Sequence, residues 1–427
     1  MRSVTAAVAA APVASANRRL SLVTVDQGIS SLSNIIALIW VAHMFGPVGF
    51  GRFSLITMIY SVAQISFRGL ISTTVLVHPE DADERPRDVL SSTTLLGLVA
   101  GGVCSLSGLG MLSLGSSLGG PTLALGIAMP LLMLQDVGRY LAIARRRPTA
   151  AIVLDSLWLL LMAGAFIAIR VLDKSSLTWV VGAWTGTGAI SALWVFVQYG
   201  PPSTTWLSWV RERWNFSWRS LVSSIAASGT TLLTASLMTA FSSAIAVAAF
   251  RAATLLGAPS TTVQMAVGTS AAADIARDRD DKRSVANHVR RAIAVSTAVG
   301  VLNLVVLVFL PNPIGHAVLG DSWDTVKPLM LALSLKVLLM AAQSGIRASL
   351  IGRRLITPAM VTDVISIILV GVCMIVGAAL GDAEGALWAM AVGTGVSTCC
   401  WWIALWWTAR PTRPAPRHAV ATSGALR

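Results

Sequence analysis

Uncharged apolar runs of about 20 residues recur along most of this chain, and each is long enough to cross a bilayer. No soluble fold tolerates so many. Of 427 residues, 55% are hydrophobic and 12% charged, about half the charge of a soluble protein. A soluble enzyme is excluded, and the chain reads as an all-α polytopic membrane protein. Spans are expected at about 21–44, 54–77, 90–112, 121–143, 149–171 and 177–199, and again at 219–242, 244–271, 292–310, 328–350, 357–380 and 385–408. Ser242–Ser243 is the sole punctuation between the seventh and eighth.

The basic residues orient these twelve spans. One set of alternating loops carries 23 Lys and Arg, the other 5. By the positive-inside rule the first set is cytoplasmic, and so are both termini. The net charge of +13 follows from this asymmetry and implies no nucleic-acid partner. Residues 1–17 and 411–427 read as disordered cytoplasmic tails; an Ala-Ser-Ala within the first lacks the charged and apolar regions of a signal peptide. The charge run 274–291 reads as a solvated connector. Trp401, Trp402, Trp406 and Trp407 read as an interfacial belt. Cys104, Cys373, Cys399 and Cys400 fall in apolar runs without metal-ligand spacing and read as small buried hydrophobes. No metal or cofactor is implied, and there is no phosphate loop, His-Glu-x-x-His or nucleophile elbow. Loops of at most about 20 residues leave no room for a folded extramembrane domain, so a catalytic role is disfavoured.

The chain matches itself at an offset of 208 residues. Gln135, Arg139, Ile143, Arg145, Arg146, Thr149, Ala151, Val153 and Asp155 meet Gln343, Arg347, Ile351, Arg353, Arg354, Thr357, Ala359, Val361 and Asp363. Part of the Arg match follows from the positive-inside rule; the in-register Gln, deep Arg and Asp do not. A weaker match at offset 201 joins Arg18, Leu20 and Gly28 to Arg219, Leu221 and Gly229. Two six-helix lobes, 18–200 and 218–410, with a cytoplasmic linker at 201–217, follow from the repeat. Six is even, so the lobes share one orientation, as in transporters that rock two halves about a central substrate. Two lobes in one chain allow a working monomer without requiring one.

An ionisable side chain at mid-membrane costs roughly 2.5–3.5 kcal/mol on insertion scales and needs a reason. Arg139 and Asp155 lie eight residues either side of Arg147, at similar depth in an antiparallel hairpin, and Arg347 and Asp363 repeat this. Each pair is either an ion pair locking its hairpin or part of a basic floor to an inter-lobe cavity. Arg68, about 13 Å into its span, has no partner in its own hairpin. It either pairs with Asp26 or faces a cavity that receives an anion, since guanidinium suits phosphate. Lys336 is a similar candidate unless it snorkels. Arg251 is an interfacial anchor or a cavity residue. Asp26 is a partner for Arg68 or a coupling-ion carboxylate.

Several stretches together resemble the polysaccharide (O-antigen-type) flippases of the multidrug/oligosaccharidyl-lipid/polysaccharide (MOP) exporter superfamily, in their actinobacterial form. They are Asp26-Gln27-Gly28 with Phe45-Gly46-Pro47 through Gly51-Arg52-Phe53, Leu134-Gln135-Asp136 through Arg139-Tyr140, Arg147-Pro148 with Asp155-Ser156-Leu157-Trp158, Phe250-Arg251-Ala252-Ala253 through Gly257-Ala258-Pro259, and Leu319-Gly320-Asp321-Ser322-Trp323. The resemblance covers about residues 18–405. It implies a MATE-like fold, a cationic cavity, a lipid-linked oligosaccharide as substrate, location in the bacterial cytoplasmic membrane, and polysaccharide-synthesis enzymes as neighbours. Residues 78–88, His-Pro-Glu-Asp-Ala-Asp-Glu-Arg-Pro-Arg-Asp, are more acidic than that pattern. A cation-coupled multidrug exporter of the same superfamily and a non-transporting membrane scaffold are the rival readings.

Overall fold

The computed structural model describes residues 16–409 apart from 174–175, 242–243 and 320–322. The expected tails, the Ser242–Ser243 break and Gly320–Ser322 of the fifth motif therefore lie outside the described residues or largely so. Helix accounts for almost all of the rest. We label the long helices α1 (Arg18–Gly46), α2 (Val48–Val77), α3 (Pro86–Ser113), α4 (Gly119–Ala144), α5 (Pro148–Val171) and α6 (Leu177–Tyr199). Then come α7 (Trp214–Phe241), α8 (Ala244–Arg277), α9 (Lys282–Val308), α10 (Trp323–Gly352) and α11 (Ile356–Ala409). Nine of these helices are long and apolar enough to span among the described residues: α1 to α6, α9, α10 and α11.

The breaks follow from local chemistry. Gly46 sits at φ 61, ψ −167 between α1 and α2, a backbone that disfavours a side chain. It precedes Pro47, which lacks an N–H and disfavours helix before it. Pro86 and Pro148 open α3 and α5 at the first turn, where a missing N–H leaves nothing unpaired. The 54-residue α11 is interrupted at Gly381 and Asp382, and its two arms fold back on each other. A Cβ on Gly377 would stand 2.2 Å from the Gly385 carbonyl oxygen, so only glycine admits this approach.

The internal repeat is visible in the backbone itself. Arg146 and Arg354, 208 positions apart, both take left-handed φ (56 and 63). Their amides reach the carbonyls of Ile143 and Ile351 at 2.9 and 2.8 Å, and those of Arg147 and Leu355 reach Ala142 and Leu350 at 2.8 Å each. Each helix thus ends in the same Schellman turn, built from residues at matching offsets.

Two groups of helices emerge from the packing. In the first, α3 packs on α4, α4 on α6, α6 on α5, and the α1–α2 segment on α5; in the second, α10 packs on α8, α9 and α11, and α7 on α11. The groups meet through α1 and α2 against α7 and α8. Here α2 changes pitch: Arg68–Ser72 is a π turn, a rare distortion that recurs at functional sites. It brings Gly69 against α7 so closely that a Cβ would lie 2.6 Å from the Leu221 Cα.

Two expectations on apolar residues are corrected. Only Cys104 of the four cysteines is buried; Cys373 and Cys400 are half-buried and Cys399 is exposed. Trp401 is buried within α11, and the belt is left to Trp402, Trp406 and Trp407.

Candidate functional site

The deep charges of the first group gather into one buried cluster. Asp26 on α1, Asp136 and Arg139 on α4 and Asp155 on α5 are each 2% exposed or less. Arg139 is the hub: its guanidinium lies 2.9 Å from Asp26, 3.1 Å from Asp155 and 3.6 Å from Asp136. Gln135 donates to Asp155 at 2.7 Å. Arg68, whose side chain is 21% exposed, lies at the rim. It forks onto Asp136 with contacts of 2.7 and 3.0 Å, and Gln64 donates to the same carboxylate at 3.0 Å.

The pairing corrects one expectation and meets another. Arg68 pairs with Asp136, not Asp26, because the turn of α2 directs it across to α4 while Arg139 claims Asp26. The hairpin pair Arg139–Asp155 is present, within a larger cluster. Sequence reasoning did not find Gln64 or the role of Asp136; the three-residue step from Asp136 to Arg139 was the available signal, since that spacing shares a helix face.

The second group repeats the motif more sparely. Arg347 on α10 meets Asp363 on α11 at 3.2 Å, and Ser223 on α7 bonds both. Gln343 turns away from this pair and donates to Thr398 at 2.9 Å. Helical spacing places Lys336, Met340, Gln343 and Arg347 on one face, with Lys336 about 16 Å along the axis from Arg347. Lys336 is half-buried, and no polar or charged group among the described residues contacts it. Arg251, by contrast, lies exposed near the start of α8.

The two groups are therefore charged oppositely in their interiors. Three carboxylates face two guanidinium groups in the first; two cations face one carboxylate in the second. An isolated buried charge is strongly disfavoured, so each imbalance calls for a partner of opposite sign.

A second cluster lies at the arginine-rich end of the bundle, where polar contacts cross between the groups. Asp274, on α8, receives Arg19 at 2.9 Å and Arg146 at 3.3 Å. Asp278 receives Arg146 at 2.9 Å and His288 at 3.0 Å. Arg277 reaches Asp83 at 2.8 Å and the Ala144 carbonyl at 2.8 Å. Arg354 bonds Glu80 and the Val77 carbonyl. The run 274–291 is thus divided: Asp274, Arg277 and Asp278 tie the groups, because the acidic stretch 78–88 and the α4–α5 turn supply their partners, while 279–283 is the exposed connector expected. The connecting segment joins in: Arg213 and Trp209 donate to Asp81 at 2.8 and 2.9 Å.

Three of these acids stay ionised into mild acid. Burial alone would raise Asp81 and Glu80, but hydrogen bonds from Arg213 and Trp209 to Asp81, and from its own backbone N–H and then Arg354 to Glu80, hold both below the usual carboxylate range. Asp278 is held down likewise by His288 and Arg146.

His78 behaves differently. Burial, reinforced by Arg354 and Arg213, pushes its imidazole down to about 4, while Nδ1 bonds the Thr74 carbonyl at 2.8 Å. A depressed imidazole favours this packing while neutral, so stability is complete above about 6.5 and declines as pH falls toward 4. The loss amounts to about 3 kcal/mol over that window. The thermal midpoint of the purified protein is expected to fall between pH 6.5 and 4.5, and His78→Gln to flatten that fall; an equally steep fall in the variant would exclude His78 as its source.

Comparisons with known proteins meet this geometry from two sides. A family profile described as "Polysaccharide biosynthesis protein" matches residues 161–328. No curated protein matches the chain. Among solved structures, a MATE protein in complex with MaD5 superposes with a TM-score of 0.77 at 12% identity, covering 92% of this chain and 94% of that one. A Vibrio cholerae MATE transporter in its bent form gives 0.74 at 14%, covering 92% and 96%. A MOP-superfamily transporter from Pyrococcus furiosus, described as having a binding pocket of reversed polarity, gives 0.73 at 13%, covering 92% and 95%. The resemblance read from the sequence is met on both counts: this is a multi-pass membrane protein with the fold of the MATE transporters of the MOP superfamily, carrying the polysaccharide biosynthesis family's pattern across its middle.

Proposed function

We propose that the chain is a flippase moving a polyprenyl-diphosphate-linked oligosaccharide from the inner to the outer leaflet of the bacterial cytoplasmic membrane, for cell-surface polysaccharide synthesis. One observation carries this reading: Lys336 stands in the interior of the second group with its charge unmatched by any described residue. A diphosphate headgroup is the anion such a site would receive, while the prenyl chain remains in lipid. The headgroup does not cross hydrocarbon unaided, because desolvating its charge is prohibitive.

On this reading the chain makes twelve spans with both termini cytoplasmic, the eleven long helices counting as twelve because α11 doubles back. The two groups are six-helix lobes, 18–200 and 218–410, joined by 201–217, and their rocking alternates access. One chain suffices, its partners being the lipid-linked substrate, the surrounding lipids and the synthesis enzymes that supply it. No residue set for bond-making chemistry enters the mechanism. The cavity role shifts from Arg68, Arg139 and Arg347, whose charges are already matched, toward Lys336, with Arg251 at the outer end of α8.

The surplus carboxylate around Asp26 favours a second reading in which a cation or proton drives export, as a drug exporter also requires. Cells depleted of this protein decide between the two. Accumulation of one polyprenyl-diphosphate saccharide, shielded from an outer-leaflet probe and seen by mass spectrometry, is the expected result. An unchanged lipid-linked pool with new drug sensitivity would replace flipping by drug export.

A further inference from the structure

The ion pairs at the arginine-rich end tie the two groups together. The hydrogen bonds and ion pairs that the described residues make between the two groups all lie there: Arg19–Asp274, Thr74–Ser217, Arg146–Asp278, Arg277–Asp83 and Arg354–Glu80 among them. Close contact continues inward to Gly69 and Leu221, about 12 Å from the end of α2 at helical rise. Halves that rock must part at this end, so the ties must break in each cycle.

The ties are built to be broken by an anion. The side chains of Arg146, Arg277 and Arg354 are 23%, 22% and 25% exposed, so water reaches them. Each holds its carboxylate partners across the boundary between groups. A diphosphate presents more charge than one carboxylate and accepts planar guanidinium forks in pairs. On the positive-inside reading the site also stands at the cytoplasmic ends of the helices, the side where a diphosphate lipid is made.

We propose that Arg146, Arg277 and Arg354 form an entry site for a lipid-borne diphosphate headgroup, which displaces Asp278, Asp83 and Glu80 and so unlocks the two groups. The identity of the ligand rests on the flippase reading; the lock does not. Once the headgroup moves inward toward Lys336, the carboxylates regain their arginines and the end recloses behind it. The acidic stretch 78–88 is then the latch rather than an irregularity of the sequence.

Distances between nitroxides test this in the full chain, reconstituted in nanodiscs, with the four cysteines replaced by serine and labels at Thr149→Cys and Ala286→Cys, two exposed positions on opposite sides of the boundary. One short distance is expected without ligand. Farnesyl diphosphate is expected to add a second, longer population, whereas farnesol is not. Asp83→Arg is expected to add the longer population without ligand, and Asp83→Arg combined with Arg277→Asp to restore the short one. An Asp83→Arg distance identical to the parent overturns the lock. Opening by Asp83→Arg with no response to farnesyl diphosphate overturns the entry site. Equal opening by inorganic pyrophosphate overturns the lipid as its source. Opening by farnesyl diphosphate in a protein whose depletion leaves the lipid-linked pool unchanged would instead retire the flippase reading and leave the lock standing.

Discussion

Replacing Lys336 with Met is expected to abolish transport while the protein still accumulates in the membrane and becomes more resistant to heat. Met keeps the length and the apolar stem and removes only the charge. An unmatched cation at mid-membrane costs roughly 2.5–3.5 kcal/mol, so its removal stabilises the resting protein. Losing a buried partner for an anion weakens binding by about 2–5 kcal/mol, which is roughly 30-fold or more. The two readouts therefore move in opposite directions, a signature that misfolding does not mimic. Retained lipid-linked saccharide in the inner leaflet, together with a raised thermal midpoint, is the result to look for. Unimpaired flipping by the Met variant would remove Lys336 from the mechanism.

The second large effect belongs to Arg139. Its loss leaves Asp26 without its cation and Asp155 with Gln135 alone, all of them buried. Breaking a buried pair from one side costs about 3–5 kcal/mol, and here more than one pair breaks. Arg139→Met is expected to prevent accumulation of folded protein, measured as loss of the monodisperse peak in detergent extracts. Adding Asp26→Asn and Asp155→Asn is expected to restore much of it, because the orphaned charges go with their partner. Arg347→Met is the contrasting case. Arg347 is 34% exposed and matches one carboxylate, so its loss is expected to be milder. Equal damage at both positions would show that the halves depend on their deep arginines alike.

What the sequence disclosed and what it withheld divide along a physical line. Apolar length fixes where helices cross, and a tight turn fixes which positions of a hairpin share depth. Hence Arg347–Asp363 and Arg139–Asp155 were within reach, each from eight residues either side of a turn. The Schellman turns at Arg146 and Arg354 repeat because their surrounding residues repeat. Asp26 and Arg139 are 113 positions apart, and nothing in helical periodicity tells which face of α1 meets which face of α4. The same limit hid Asp136 as the partner of Arg68. Counting basic loops assigns them to a side of the membrane but says nothing of what they touch, so all of 274–291 looked solvated while Asp274 and Asp278 were reaching Arg19 and Arg146. That no described residue matches Lys336 is a statement about many neighbours at once, and only a packed structure provides that.

The connecting segment between the groups has a mechanical consequence. It is fastened to the first group along its length: the Ser203 amide bonds the Arg87 carbonyl at 3.1 Å, Ser91 and Ser92 hold the Ser203 and Trp206 carbonyls at 2.8 and 2.7 Å, and Arg213 is clamped on Asp81. Trp214 already belongs to α7. No slack remains between the last clamp and the first turn of the second group. A strap without slack permits swivelling but not separation, so the halves are pinned at one corner of the end they must open. If the halves rock as proposed, they turn like a pair of shears about a rivet, with the widest excursion on the side away from the strap.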